Sequence, residues 1–524
     1  QIYKVYPEKP KNGKKINYKH PIAAFGSSAQ QNGFRVVCIA GIYDCRRLID
    51  KFHEIGSSNN TLVFLDCAVT DPERRALAKE IKKDIALSKT FAVVDRVVLM
   101  YLANHYVENE INRMLMAVTM PFSYYQPYVI DSSKVMPAEI FMGREYELNK
   151  IESPEGVNII YGGRQLGKSA LLKMARNDID HDENGDRAVY VDIHKLGIEA
   201  AAGKISGELM INGILDKVYD NWNDLAFAIK ARLAKNPSDE DYIPYLLLML
   251  DEADTFIKDC GNHEYEPLAL LKDIQSIGTD RFKFVVAGLR DIVRFDREVA
   301  LGNNSVITHL RAITIKSFEY KEAKELLTLP LSYMGICFPD SEMISLILAT
   351  TNYFPGLIQL YCAKLLETLR GKDYADYIEN ECPPYIVTEK HIKKVLTDKE
   401  FNSQIKEKFE ITLRSDECPG EEENGYHYYL IALLISYLCY DSSECSDSGY
   451  TADDISRVAA SFEINKISML GTDKLVTILD ELCSLNILRR TDAGKYHFKR
   501  DSFLAMMGKN SSDIENKLME YIGK

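Results

Sequence analysis

Gly162, Gly163, Arg164, Gln165, Leu166, Gly167, Lys168 and Ser169 follow the pattern G-x-x-x-x-G-K-S, the spacing of a loop that wraps phosphate. Glycines let backbone N–H groups turn inward around phosphate oxygens, and a helix starting at the end of the loop adds the partial positive charge of its N-terminus. Lys168 has the reach to bridge β- and γ-phosphates, and the Ser169 hydroxyl is a Mg²⁺ ligand. Such a loop works only between a strand and a helix. Val157-Asn158-Ile159-Ile160-Tyr161 is a short apolar strand before it, and Ala170 to Arg176 reads as a helix after it. The expected nucleotide-binding set therefore runs from Gly162 to Ala170, with ATP or ADP and Mg²⁺ as its ligands.

A second group of reactive side chains stands downstream, where the apolar run Tyr245 to Leu250 ends in Asp251, Glu252, Ala253 and Asp254. A continuous apolar run with acids at its end predicts a central parallel strand whose tip lies at the carboxyl edge, where ligands bind. Asp251 is placed to hold Mg²⁺ through water, and Glu252 to polarise an attacking water. A third strand, Phe282 to Ala287, is followed by Gly288, Leu289 and Arg290. Arg290 is placed to reach a γ-phosphate, or to begin a surface helix. The expected catalytic set is Lys168, Glu252 and Arg290; the expected metal ligands are Ser169 and Asp251. Strands at Arg187 to Ile193 and Ala312 to Lys316 complete a predicted five-stranded parallel sheet. His194, just past the former, is a polar relay to Glu252 or a solvated turn residue.

The elements that must position these groups sit in a chain of 524 residues, long enough for three or four domains at roughly 100–200 residues each. A net charge of -13 argues against a chain that coats nucleic acid or anionic membrane as a whole, while leaving room for a local basic surface. The longest apolar run, Tyr428 to Tyr440, is shorter than the roughly 20 residues of a membrane span, so no membrane association is expected. The 11 cysteines are scattered without a C-x-x-C pair, which predicts free thiols in a reducing cytoplasm and no structural zinc. Gln1 in place of Met is read as the start of a processed or trimmed chain. Residues 1–33 read as an irregular arm, solvated or touching phosphate. Strand-like Arg35 to Ala40, Thr61 to Val69 and Phe91 to Asp95 alternate with helix-like Tyr43 to Ile55 and Pro72 to Ile85, and a helix from Val97 to Met120 follows. That alternation predicts an accessory parallel α/β domain over residues 34–130. Asp66 and Asp95 end its strands, and Asp66 is a phospho-acceptor, a metal ligand or a capping residue.

Phe141-Met142-Gly143-Arg144-Glu145-Tyr146-Glu147-Leu148 resembles the F-x-G-R-E-x-E-L box that precedes the nucleotide-binding domain of STAND signal-transduction ATPases and related archaeal-type ATPases of the AAA+ branch. The resemblance implies that Arg144 lies beside the nucleotide base, that Asp251 and Glu252 are the acidic pair of that family, and that Arg290 is its sensor. Ile313 to Leu331 is similar to the family's passage into a helical lid. Thr351 to Gln359 resembles its G-x-P element, which implies a base contact for Pro355, with Tyr353 standing where a glycine is usual. The core is expected over 131–316, the lid over 317–372 and a linker over 373–425.

From 426 to 524, helices at Tyr428 to Cys439, near Thr451 and at Thr472 to Ser484 precede two strand-like runs around Asp492-Ala493-Gly494, a winged-helix pattern. Arg489, Arg490, Lys495, Lys499 and Arg500 gather on the hairpin, but acids including Asp480 and Glu481 line the helices. This favours docking of a protein, or latching by nucleotide state, over reading of DNA. The family likeness implies a regulatory switch ATPase, often in bacterial signalling or defence, with self-association in the ATP state. The alternative is a DNA-loading or transposition-helper ATPase. A trans-acting arginine, if the protein assembles, would be Arg311 or Arg294.

Overall fold

The computed structural model describes residues 1–7, 20–41, 45–55, 59–83, 90–123, 125–130, 134, 136–180, 185–278, 280–289, 291–293, 295, 310–370, 384–414, 427–441 and 449–523. They divide into two units, one of residues 1–143, 318–353 and 357–401, the other of residues 144–317, 354–356 and 402–524. Most of the stretch expected as a lid thus belongs with the N-terminal α/β segment, and the C-terminal stretch belongs with the phosphate-loop core.

In the first unit, β2 (Phe34–Ile39), β3 (Thr61–Leu65) and β4 (Phe91–Val94) are parallel, linked by the helices α1 (Cys45–Ile55) and α2 (Asp71–Lys83). Their apolar faces close a core around Phe52, Val63, Leu77 and Phe91. The arm expected to be irregular instead begins with β1 (Ile2–Val5), antiparallel to β2 with Ile2 opposite Val37. The open backbone groups of β2 supply a ladder that a local reading of residues 1–33 does not reveal. The single helix expected from Val97 to Met120 is two, α3 (Arg96–Asn104) and α4 (Ile111–Thr119). Between them Asn109 has φ 67°, a left-handed conformation that no α-helix passes through. Asp95 is fully buried and committed to structure. It caps α3 through Val98 N–H at 2.9 Å, accepts Val69 N–H at 2.7 Å, and pairs with Arg74 at 2.5 Å. Asp66 accepts the Gly41 N–H at 3.2 Å, a capping contact.

In the second unit, α5 (Glu145–Glu152) leads into β5 (Val157–Tyr161), and α6 (Lys168–Asp180) leaves the phosphate loop. β6 (Arg187–Asp192), α7 (Ile198–Ile211), α8 (Trp222–Leu233), β7 (Leu246–Asp251), α9 (Asp254–Gly261), α10 (Glu266–Ile274), β8 (Phe282–Gly288) and β9 (Leu310–Thr314) follow. The sheet order is β6-β7-β8-β5-β9, and every neighbouring pair is parallel. β7 and β8 are buried along their whole length, as continuous apolar strands in a sheet covered on both faces must be. β9 begins two residues earlier than its apolar pattern suggests, because its five residues pair with the five of β5, Val157 opposite Leu310.

One lysine interrupts β8. Lys283 is 0% exposed, and its Nζ donates to the carbonyls of Lys150 and Ser153, each at 2.7 Å. These are carbonyls at the C-terminal end of α5, which has no further turn to satisfy them. The ammonium thus fastens α5 to the centre of the sheet.

The C-terminal part places the helices His427–Asp441, Ala452–Ser461 and Thr472–Ser484 before an antiparallel pair, Leu488–Arg490 and Tyr496–Phe498. Gly494 turns the hairpin with φ 75°. Glu481, expected on the acidic surface, is buried and accepts the Tyr428 hydroxyl at 2.7 Å. Its position in the helix Thr472–Ser484 falls on the inward stripe with Ile478 and Leu482.

Burial pushes Lys283 down to about 7. A folded-state value below the unfolded one contributes stability that is complete above about 10.5 and lost as pH falls towards 7. Lys283→Met should destabilise the protein by about 2–3 kcal/mol through the orphaned carbonyls, and the deficit measured by urea unfolding should widen from pH 7 to pH 9.5. A deficit below about 0.5 kcal/mol would contradict the fastening role.

Candidate functional site

The phosphate loop is built by close approach of backbone. Gly162 has φ 156°, and a Cβ there would lie 2.5 Å from the Ile315 carbonyl oxygen. Gly163 meets the Leu485 carbonyl oxygen at the same 2.5 Å. Gly167, φ 94°, and Gln165, φ 64°, turn the chain into α6. A side chain on any of the three glycines would clash or be strained. Lys168 is buried, with Nζ donating to the carbonyls of Gly162 at 2.7 Å and Gly163 at 3.2 Å. Burial pushes its ammonium down, while Glu252, Asp251 and Asp254 pull it back up. The charge therefore sits inside the loop with the acids of the sheet tip as its counterweight.

The register of the sheet brings those acids together. Asp251 lies opposite Asp192 across β6 and β7. Its Oδ1 accepts the Glu252 N–H at 2.9 Å, and its Oδ2 accepts the Tyr190 hydroxyl at 2.8 Å. Tyr190 is raised well above its ordinary range by burial first and Asp251 second, with a hydrogen bond to Ser169 acting the other way. The phenol therefore bonds one expected Mg²⁺ ligand, Asp251, on the side of the site that faces Ser169. A hydroxyl and a carboxylate held side by side suit Mg²⁺, which takes one or two protein ligands and completes its shell with water and phosphate oxygens. Glu252 sits at φ 53°, a strained position for a side-chain-bearing residue that is common where function fixes geometry. His194 Nδ1 lies 3.9 Å from Glu252 Oε2, beyond hydrogen-bond distance, and its side chain is half-exposed.

Asp254 does a different job. Its Oδ1 accepts the N–H groups of Leu289 at 3.0 Å and Asp291 at 2.9 Å, and its Oδ2 accepts Leu289 N–H at 2.8 Å. Burial and then Asp291 push its carboxyl up to about 6, against the backbone N–H bonds that hold it down.

Arg144 is buried under the loop. Nη2 donates to the Leu166 carbonyl at 3.2 Å and the Lys316 carbonyl at 2.5 Å, and Nη1 reaches Glu147 at 3.2 Å. It ties the phosphate loop to the chain leaving β9. Pro355 approaches Gly167, 3.9 Å from Cγ to an ideal Cβ, and Gly356 N–H donates to the Gln165 carbonyl at 3.2 Å. Tyr353, where a glycine is usual, has φ 58°, which is the physical reason a glycine suits that position. Arg311 is exposed on β9. Arg290 and Arg294 lie outside the described residues.

The roles of Tyr190 and Asp254 and the Leu485 contact are absent from the sequence reading. Tyr190 looks like any strand aromatic until β6 is known to lie beside β7. The available signal was a hydroxyl two residues before Asp192 on a strand of the same sheet.

With the phosphate loop after β5, the acids on β7, and β8 between those strands, the second unit has the five-stranded parallel P-loop fold that the motifs predict. No family model matches the chain, and no curated protein matches its sequence. Among solved structures, it is similar to a Walker-type ATPase of Pyrococcus abyssi, at 15% identity and TM-score 0.45 over 72% of this chain and 99% of that one. It is also similar to the ORC2 protein of Aeropyrum pernix in complexes with ADPNP and ADP, at 14% identity and TM-score 0.43 over 75% and 98%. Cdc6p of Pyrobaculum aerophilum matches at 14% identity and TM-score 0.32 over 75% and 99%.

Tyr190→Phe removes the hydroxyl and keeps the ring. The Mg²⁺ concentration for half-maximal hydrolysis should rise about tenfold, the usual scale for a group that orients a metal ligand, with ATP binding in EDTA unchanged. An unaltered Mg²⁺ requirement would remove Tyr190 from the site.

Proposed function

We propose that the protein is a Mg²⁺-dependent ATPase of the AAA+/STAND type that works as a regulatory switch, its nucleotide state governing assembly or the docking of a protein partner. The observation that carries this reading is the single locus where Lys168, Ser169, Asp251, Glu252 and the end of the C-terminal helix Thr472–Ser484 converge. Lys168 and the inward N–H groups of residues 162–169 would bind the β- and γ-phosphates, and Ser169 and Asp251 would hold Mg²⁺. Mg²⁺ when bound neutralises charge on the phosphate oxygens. Glu252 orients a water and accepts its proton as the oxygen adds to the γ-phosphorus and the bond to the bridging oxygen breaks, giving ADP and phosphate. Arg144 and Pro355, at the loop's margins, are proposed to face the base, and Arg290 the terminal phosphate.

The Leu485 carbonyl packed on Gly163 supports a switch. Any shift of the loop around phosphate is felt at once by the C-terminal helices, since packed backbone leaves no slack between them. Protein docking is favoured over DNA because two of the hairpin's cations have partners within the C-terminal part. Arg490 faces Asp480 at 3.4 Å, and Lys499 bonds Asn486. Asp480 also accepts the Tyr496 hydroxyl at 2.9 Å. We read the C-terminal part as a winged helix in this docking role. Among the described residues no disulfide joins the cysteines, which supports a cytoplasmic location. Among the described residues no single helix is long and apolar enough to cross a membrane.

Glu252→Gln should bind ATP with wild-type affinity and release phosphate about 100-fold more slowly, the scale of a lost general base. Turnover equal to wild type would refute the assignment of Glu252.

A further inference from the structure

The strands β7 and β8 separate at their tips. Their ladder ends at Leu250 opposite Val286, and one more backbone bond, Ala253 N–H to the Ala287 carbonyl at 2.9 Å, follows. Beyond that point the two tips are joined by Asp254. Its carboxylate accepts from the backbone N–H groups of Leu289 and Asp291, just past the end of β8. Gly288 makes room for it: a Cβ there would lie 2.7 Å from Asp254 Oδ2. Asp254 is the first residue of α9, after an Ala253 cap that has no side-chain acceptor. A carboxylate at a helix start ordinarily serves its own helix N-terminus; this one is spent across the sheet.

We propose that Asp254 is a positioning residue for ATP hydrolysis, fixing the tip of β8 at a set distance from the acidic tip of β7 that carries Asp251 and Glu252. This rests on the ATPase reading above. The sheet's carboxyl edge is where the terminal phosphate would meet both tips, and misplacement of reacting groups by about 1 Å is enough to lose a hundredfold in rate. Asp254 touches neither phosphate nor water in this role. It acts through the backbone on the far side of the site, which predicts an effect on turnover and not on binding.

The test compares phosphate release and equilibrium ATP binding in the wild type, Asp254→Ala and Asp254→Asn, with Lys168→Ala as control. Asn retains an oxygen at the Oδ1 position, which serves both Leu289 and Asp291. Asp254→Ala should keep its ATP dissociation constant within about threefold while kcat falls at least about tenfold, and Asp254→Asn should recover kcat to within about threefold of wild type. Wild-type kcat in the Ala variant overturns the proposal. So does equal impairment of Ala and Asn, which would assign the effect to charge, or a parallel loss of binding, kcat and melting temperature, which would assign it to folding alone. If the Ala variant does not fold, Asp254→Ser, which keeps one acceptor, is judged by the same criteria. Absence of turnover in the wild type would overturn the ATPase reading and this proposal together, whereas activity lost in Lys168→Ala but kept in Asp254→Ala would overturn this one alone.

Discussion

A lysine ammonium buried at the carboxyl edge of a parallel sheet has to be compensated by groups brought in from other strands. Isolated burial of such a charge costs several kcal/mol after relaxation, and the site around Lys168 answers that constraint in two ways. Carbonyls of Gly162 and Gly163 accept from Nζ directly, while Glu252, Asp251 and Asp254 supply negative potential from the tip of β7. The strand order follows from the same need. β8 must lie between β5 and β7 for the loop and the acids to face one another across its end, and Asp254 then bridges the opening that β8 leaves at its tip.

Positive charge confined in this way is useful only to an anion that can take over the carbonyls' role. A triphosphate matches the glycine-rich loop, the buried lysine and the carboxylate of Asp251 at the neighbouring strand tip. The glycines are dictated by neighbours as much as by ligand. Ile315 presses on Gly162, Leu485 on Gly163 and Gln165 on Gly356, so the loop is clamped by three separate segments of the chain. A clamped loop transmits strain to each of them, which is the physical basis for reading the C-terminal helices as an output element.

Much of this was legible in the sequence because the relevant signals are local. The G-x-x-x-x-G-K-S run, the apolar strand before it, and the apolar run ending in Asp251 and Glu252 each carry their meaning within about ten residues. The C-terminal helix Thr472–Ser484 was also readable from its apolar pattern. What escaped depends on which strands become neighbours. Tyr190 gains a role only through β6 lying beside β7, Asp254 only through the tip of β8, and β1 only through the open edge of β2. Glu481 was misplaced on the surface because a charged residue normally stays solvated, and the buried Tyr428 hydroxyl that accommodates it lies 53 positions away in the chain. Arg144, expected beside the base by resemblance, also donates to backbone carbonyls of the loop and of Lys316, a second strap on the same clamp.

The buried lysine and its clamped loop are proposed to form a site for nucleoside triphosphate with Mg²⁺. Calorimetric titration of the full chain with a slowly hydrolysed ATP analogue and Mg²⁺ tests it most directly. The account predicts binding at one site per chain with a dissociation constant below about 100 μM, which corresponds to roughly 5.5 kcal/mol or more of binding free energy, and no measurable heat for Lys168→Ala under the same conditions. Absence of binding to the wild type at millimolar analogue, or binding of equal strength in Lys168→Ala, would contradict it.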